Sequence, residues 1–406
     1  MAALSPFRAL RPTPDAAPRV AAVPYDVVST DEARSLAAGN ALSFLHVSRP
    51  EIDLPPGTDP YADAVYAKAV ENFCTLKKAA PLVVDDAPSL YVYRLRLGAH
   101  VQDGVAACYS LAEYDAGVIK KHEHTRPDKE DDRTRHMIAL RAQTGPVFLV
   151  YRAVDTIDDL VHATIAGGAP LFDFVAPDGV QHAIWRIDSR DQAALRAAFE
   201  AVRALYIADG HHRAASAARA RGELAGRGDE TGAWDTFLAV AFPDTQVQVL
   251  PYNRVVRDLG RQTPSTLLAA LGERFSVRNG PPEPARAGEV AMFLDGRWHT
   301  IELGAAPADR SAAHRLDVSR LQDQLLTPLL GIDDVRTDKR IDFIGGARGT
   351  AELERLVRSG RAAVAFSMYP VSVADLMAVC DADGIMPPKS TWFEPKLRDG
   401  LLSHPI

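Results

Sequence analysis

The sequence predicts an α+β fold with mixed sheets, on three observations. Helix-like and strand-like stretches alternate irregularly, several strand pairs are joined by short turns as hairpins, and no regular strand–helix–strand repeat runs through the chain. At 406 residues the chain exceeds a typical domain, so two or three packed modules are expected. Residues 1–100 read as an N-terminal α+β region, 101–255 as a central module, and 256–406 as a C-terminal α+β region whose tail contributes to the site.

Taken in order, residues 7–18 read as extended chain and 20–23 as a short strand stopped by Pro24. A helix is expected over 31–38, capped by Ser29 or Thr30, and a longer amphipathic one over 61–78. Residues 90–97 and 105–111 form a strand pair around a turn at 98–104. Further strands are expected at 146–151, 182–187, 204–208, 237–242 and 246–250, with a helix over 192–203 and another from His211. Beyond Pro251 the pattern gives a helix (264–275), a hairpin turning at Asp295-Gly296, helices near 316–330 and 351–359, a strand (362–368), a helix (373–380) and an irregular tail.

Composition narrows the function classes. Hydrophobic residues make up 47% and charged residues 24%, as in ordinary globular proteins. The net charge of −7 disfavours nucleic acid as the partner and suits a small-molecule substrate. Cys74, Cys108 and Cys380 are far apart and form no C-x-x-C pair, so three reduced thiols are expected. The first residues lack an apolar signal region, and no stretch approaches the roughly 20 apolar residues of a membrane helix. A cytoplasmic protein without membrane partners is therefore expected, with homo-oligomerisation left open.

Three constellations carry chemistry. In Asp209-Gly210-His211-His212-Arg213 a strand delivers the chain to a glycine and a helix begins at once. Its first N–H groups and positive dipole end make an anion site. Arg213 can add bidentate hydrogen bonds to a phosphate, the histidines can move protons, and Asp209 can orient a histidine or accept a proton. The second constellation is the charged run 119–136. Lys120, Lys121 and Arg126 can bind phosphates there, while Glu123, Asp128 and Asp131 can serve as a base or as Mg²⁺ ligands. His122-Glu123-His124 is not a zincin signature, because helical zinc pairs stand four apart. The third is the tail, where Lys389, Ser390 and Thr391 can contact a phosphate and Trp392 and Phe393 can stack or anchor. Pro24-Tyr25-Asp26 and the polar loop read at 250–254 are further candidates to line the site.

The central pentapeptide resembles the phosphate-binding motif shared by ParB-type nucleotidases, sulfiredoxins and free serine kinases, and it is most similar to the serine-kinase version. Sulfiredoxin chemistry needs a cysteine where this chain has His211. His122-Glu123 resembles the serine-kinase pair whose glutamate acts near the transferred phosphate. Taken with Phe7 to Pro12, Pro24 to Val28, Lys120 to His136, Leu250 to Arg254 and Pro387 to Lys396, these strings closely resemble domain-of-unknown-function family 1015, which brings no settled activity. The resemblance implies a ParB/sulfiredoxin-like central module, ATP or ADP, and Mg²⁺.

The expected function is a nucleotide-dependent phosphotransferase acting on a small hydroxylated metabolite such as serine. Gly210, His211, His212 and Arg213 would hold phosphate, Glu123 or Asp209 would take the hydroxyl proton, and Lys120, Lys121, Arg126 and Lys389 would neutralise charge. The alternatives are a ParB-like nucleotide switch or nucleic-acid-associated protein, and a metal-dependent hydrolase built from His122, His124, His136, Asp209, His211 and His212.

Overall fold

The computed structural model describes residues 2–79, 82–225, 232–305 and 310–406. They form an α+β protein of two units: residues 1–121, 125–247 and 395–406 in the first, and 122–124 with 248–394 in the second. The chain thus leaves the first unit and returns to it for its last twelve residues. The division expected at residue 100 falls between strands that pair in one sheet.

The main-sheet strands of the first unit are β1 (Leu4–Ser5), β2 (Tyr91–Leu97), β3 (His100–Ser110), β4 (Ile119–Lys120), β5 (Val147–Tyr151), β6 (Phe172–Val175), β7 (Gln181–Arg186), β8 (Leu205–Asp209) and β9 (Thr236–Pro243). They form one mixed sheet in the order β4-β8-β5-β9-β3-β2-β7-β6, with β1 paired to β3. Its longer helices are α1 (Thr30–Ala37), α2 (Asp63–Ala79), α3 (Pro127–Leu140), α4 (Asp155–Gly167), α5 (Ser189–Glu200) and α6 (His211–Ala225). A capping box between Ser29 and Glu32 starts α1, satisfying two end donors reciprocally.

Two departures from expectation have clear causes. Residues 17–20 form a helical turn and not the start of a strand, because Pro18 sits in the first turn where its missing N–H costs nothing. Gly104 is not in the turn but inside β3. A Cβ there would lie 2.6 Å from Val240 and 2.7 Å from Phe242, so the glycine is required by close side-chain packing from β9.

The core of this unit combines Val105, Tyr109, Leu149, Phe199, Ile207 and Phe237 with alanines of α6. A separate cluster of Phe44, Val47, Phe73 and Leu76 closes the N-terminal helices around Leu140 of α3. The last twelve residues are laid into the unit by main-chain pairing: Asp399 bridges Ala22, Ser403 bridges Leu10, and His404 pairs with Gln143. Gly400, at φ +84°, allows this passage, since a Cβ there would meet Phe44 at 2.5 Å.

The second unit has an antiparallel six-stranded sheet. The strands of this unit are β10 (Gln248–Leu250), β11 (Tyr252–Val256), β12 (Ser276–Asn279), β13 (Glu289–Leu294), β14 (Arg297–Glu302), β15 (Ile341–Gly345), β16 (Val364–Met368) and β17 (Trp392–Glu394). The sheet order is β12-β14-β13-β16-β11-β15, and β10 pairs separately with β17. Residues 252–254, expected in a loop, are a fully buried strand. Asn253 is tolerated inside because its Oδ1 accepts the Met368 N–H at 3.0 Å. No helix among the described residues is long and apolar enough to cross a membrane.

Candidate functional site

The turn after β8 is built by a register shift and a glycine. β8 runs antiparallel to β5 with an irregularity between Ile207 and Asp209, which re-aims the Asp209 side chain at the strand end. Gly210 follows at φ +93°, a conformation that disfavours other residues. α6 then begins at His211.

Asp209 is gripped from two directions. Lys396 Nζ donates to its Oδ1 at 2.9 Å, and Arg213 donates to its Oδ2 at 2.5 Å. Burial raises the energy of the carboxylate, but the charges of Lys396 and Arg213 and their hydrogen bonds outweigh it. Asp209 is held well below the usual carboxylate range. It is an anion, and a weak base.

Arg213 does not reach outward. Its side chain is 7% exposed and folds back beneath Gly210, where a Cβ would meet Cζ and Nε at 3.0 Å. The guanidinium donates to the Pro146 carbonyl and to Asp209, and Asp26 lies at 3.7 Å. Burial opposes its charge, but Asp26, Asp209 and Asp399 keep it protonated. The bidentate phosphate grip expected of Arg213 is thus replaced by internal bonds.

Behind Arg213 lies a cavity of about 40 Å³ lined by Tyr25, Arg133, His136, Gly145, Arg213 and Asp399, among others. Asp399 is 2% exposed. Burial pushes its carboxyl up to about 7, against the pull of Arg213 and with the help of Asp26. His136 is pushed down to about 4 by burial and by Arg133, and it meets the Val47 carbonyl at 2.8 Å through Nε2. A neutral, carbonyl-bound His136 is a structural residue.

The charged segment does pack on the helix that follows the turn. Ser216 Oγ donates to the Glu130 carbonyl at 3.2 Å, Thr134 Oγ1 to the Ser216 carbonyl at 3.5 Å, and Arg219 pairs with Asp131. The Arg126 backbone N–H donates to His212 Nε2 at 3.0 Å, which sets that nitrogen as the acceptor. Within α3 the two faces divide cleanly. Asp132, Thr134, His136, Met137 and Leu140 are buried, while Asp128, Asp131 and Arg135 are exposed.

The remaining expected site residues fall as follows. His211 is buried and His212 half-buried at the start of α6. Lys120 pairs with Tyr206 along β4 and β8, and exposed Lys121 lies 4.3 Å over the Tyr114 ring. Arg126 is exposed and bonds Asp128 at 2.8 Å. Among the described residues, Asp128 and Asp131 belong to no close group of three potential metal ligands. Glu123, His122 and His124 belong to the second unit, as do Lys389, Ser390 and Thr391. There, Lys389 is exposed at φ +58°, its carbonyl accepts from Arg254 at 3.2 Å, and Ser390 Oγ donates to the Pro387 carbonyl at 2.6 Å. Lys396 and Asp399, which the sequence reading did not assign, are brought to the turn by the returning tail. Lys396 was hinted at only as the last residue of the tail motif, and Asp399 lies beyond that motif.

The sequence pattern of a family described as protein of unknown function, DUF1015, matches residues 4–319. The chain belongs to the DUF1015 family. No curated protein matches this DUF1015 member. Solved structures similar to it include a free serine kinase in complex with AMP, at 14% identity and TM-score 0.36, covering 73% of this chain and 92% of that one. SbnI with a C-terminal truncation, from Staphylococcus aureus, is 12% identical with TM-score 0.38, covering 74% and 87%. A conserved hypothetical protein from Pyrococcus furiosus is 14% identical with TM-score 0.36, covering 74% and 94%. Likeness at these scores decides nothing about activity.

Proposed function

We propose that this DUF1015 protein is a nucleotide-dependent phosphotransferase acting on a small hydroxylated metabolite such as serine. The observation that carries the reading is the Asp209 carboxylate, fixed between Lys396 and Arg213 where a strand turns through Gly210 into the N-terminus of α6. A helix start of this kind presents N–H groups that have no acceptor within the helix, and such groups favour phosphate. ATP or ADP would place its phosphates there, with Lys120, Lys121 and Arg126 supplying positive charge around them. Mg²⁺ would offset charge on the nucleotide. The residues offered for it, Asp128 and Asp131, are each engaged by an arginine, so they fit a dedicated metal cage poorly and no step is assigned to the ion.

Asp209, stabilised as an anion by two cations, would orient the Lys396 ammonium rather than take the substrate proton. The proton acceptor is then another side chain, and His211 at the start of α6 is the candidate within this unit. Calorimetric titration with ATP, ADP and AMP, with and without Mg²⁺, followed by a phosphoserine assay, tests the reading. Lys396→Met should lower turnover by about 100-fold if its charge is aligned with the transferring group. Absence of binding by every nucleotide would refute the proposal.

A further inference from the structure

The cavity behind the turn is not used by the chemistry proposed above. Three residues on its wall carry a buried polar atom with no hydrogen-bond partner within the protein: Ser48 Oγ, Arg213 Nε and Asp399 Oδ1. Ser48 and Asp399 are 2% and 3% or less exposed by residue, and Arg213 is 7% exposed. They come from separate parts of the first unit: the helical turn Leu45–Ser48, the first turns of α6, and the returning tail. Buried polar atoms of this kind are costly unless a partner satisfies them. The cavity measures about 40 Å³, and one water-sized sphere needs roughly 10–15 Å³, so it has room for about three heavy atoms.

The charge of the wall selects the occupant. Arg133 and Arg213 both line the cavity, whereas the carboxylates paired with them, Asp132, Asp26 and Asp209, do not. Arg213 Nε–H can only donate, and the Ser48 hydroxyl can donate. The Tyr25 backbone bonds the Asp399 carboxyl, and burial pushes that carboxyl up to about 7. Its free oxygen, Oδ1, is then the place for a proton, and a third donor. Three donors beside two guanidinium groups suit an acceptor that carries negative charge.

We propose that this cavity binds a compact monovalent anion, a halide or a formate-sized carboxylate, held by Arg213 Nε–H, the Ser48 hydroxyl and the Asp399 carboxyl. A nucleotide is far too large for it, so the site is separate from the helix start and does not rest on the phosphotransfer reading. Binding should weaken as pH rises. Asp399 is faced by Tyr25 and Asp26 from the Pro24 turn, by Arg133 and His136 from α3, and by Arg213 from α6. Burial raises Tyr25 above its ordinary range and lowers His136 to about 4, so both stay neutral between pH 5 and pH 8. The arginines stay charged. Asp399 ionises as pH passes 7, and its carboxylate then opposes the anion.

The test is thermal unfolding of the full chain in potassium chloride, potassium formate and potassium gluconate at equal ionic strength, gluconate being too large for the cavity. At pH 6 chloride or formate should raise Tm above the gluconate value by about 2–4 °C, increasing with concentration as a bound ligand requires. The affinity read from that dependence should be about tenfold lower at pH 8 than at pH 6. Ser48→Ala should lower it about tenfold at pH 6. Asp399→Asn keeps a donor and does not titrate, so it should retain binding and lose the pH dependence. Crystals grown in sodium bromide should show an anomalous peak within hydrogen-bond distance of Arg213 Nε. Equal Tm values in the three salts at pH 6 would overturn the proposal. So would an anion response that is unchanged in Ser48→Ala and still pH-dependent in Asp399→Asn, or bromide peaks confined to the surface, which would mean an adventitious ion only. No readout involves nucleotide turnover, so failure of the phosphotransfer reading leaves this result standing.

Discussion

Replacing Asp399 by asparagine should change how stability depends on pH, in a predictable direction. The Asp399 carboxyl is pushed by burial up to about 7, against roughly 3.9 for an unfolded chain. The folded protein therefore holds a proton that the unfolded chain has released. Below pH 4 both states carry that proton and its stabilising contribution is complete. As pH rises through 7 the folded state must lose it too, and the contribution disappears. Across the full window this amounts to about 4 kcal/mol, and between pH 5 and pH 8 to about 3 kcal/mol. Asparagine does not titrate. The stability difference, wild type minus Asp399→Asn, should therefore fall by about 3 kcal/mol from pH 5 to pH 8. Asp209, held low by Lys396 and Arg213, has the opposite dependence and loses stability only as pH falls, so it does not contribute in this window. Urea unfolding at four pH values, followed by tryptophan fluorescence in a background lacking Trp298 and Trp392, reads the first unit through Trp185 and Trp234. A difference that stays flat, or grows with pH, would show that Asp399 is ionised in the native state.

Other perturbations have simpler readings. Gly400→Ala places a methyl 2.5 Å from Phe44 at φ +84°; it should cost about 2–4 kcal/mol in urea unfolding, from overpacking and left-handed strain together. Tyr66→Phe removes the 2.9 Å hydrogen bond from Tyr66 to the buried Asp132 carboxylate and should cost about 1–3 kcal/mol by the same measurement. Of the three free cysteines, only Cys74 is exposed, so a thiol reagent should modify one group quickly in the native protein and the other two only after denaturation. Two or three fast thiols would contradict the packing of Cys108 and Cys380.

Much of the fold and part of the site were legible in the sequence, and the division has physical causes. The 90–97 and 105–111 pattern gave a true strand pair because alternation and apolar content are local properties. The turn at 209–213 was legible for the same reason: strand, glycine and helix start are consecutive. The strand at Tyr252–Val256 was missed because Asn253 and Arg254 break its apolar pattern; inside, Asn253 Oδ1 accepts from the Met368 N–H and Arg254 donates to the Tyr252 and Lys389 carbonyls. What the charged run 127–140 hid was the buried face of its helix, since Asp132 and His136 look like surface residues until Tyr66 and the Val47 carbonyl supply their partners. The direction of Arg213 was illegible. It depends on Pro146 and Asp26, positions that only the tertiary fold brings beside it.

That direction changes what the central turn can contribute. Two cations, Arg213 and Lys396, meet Asp209 and Asp26, with Asp399 adding a third acidic group when it ionises. The side chains packed around Asp209 thus sum to no net positive charge, and to a negative one once Asp399 loses its proton. Under the proposed function, a phosphate at this place would be held by the helix start, whose peptide N–H groups carry fixed partial charge, and not by a free Arg213. The ion pairs serve a different end: they hold the strand, the glycine and the first turn of α6 in one geometry. The same clamp joins the turn to the last twelve residues through Lys396, so the geometry of the turn depends on the tail.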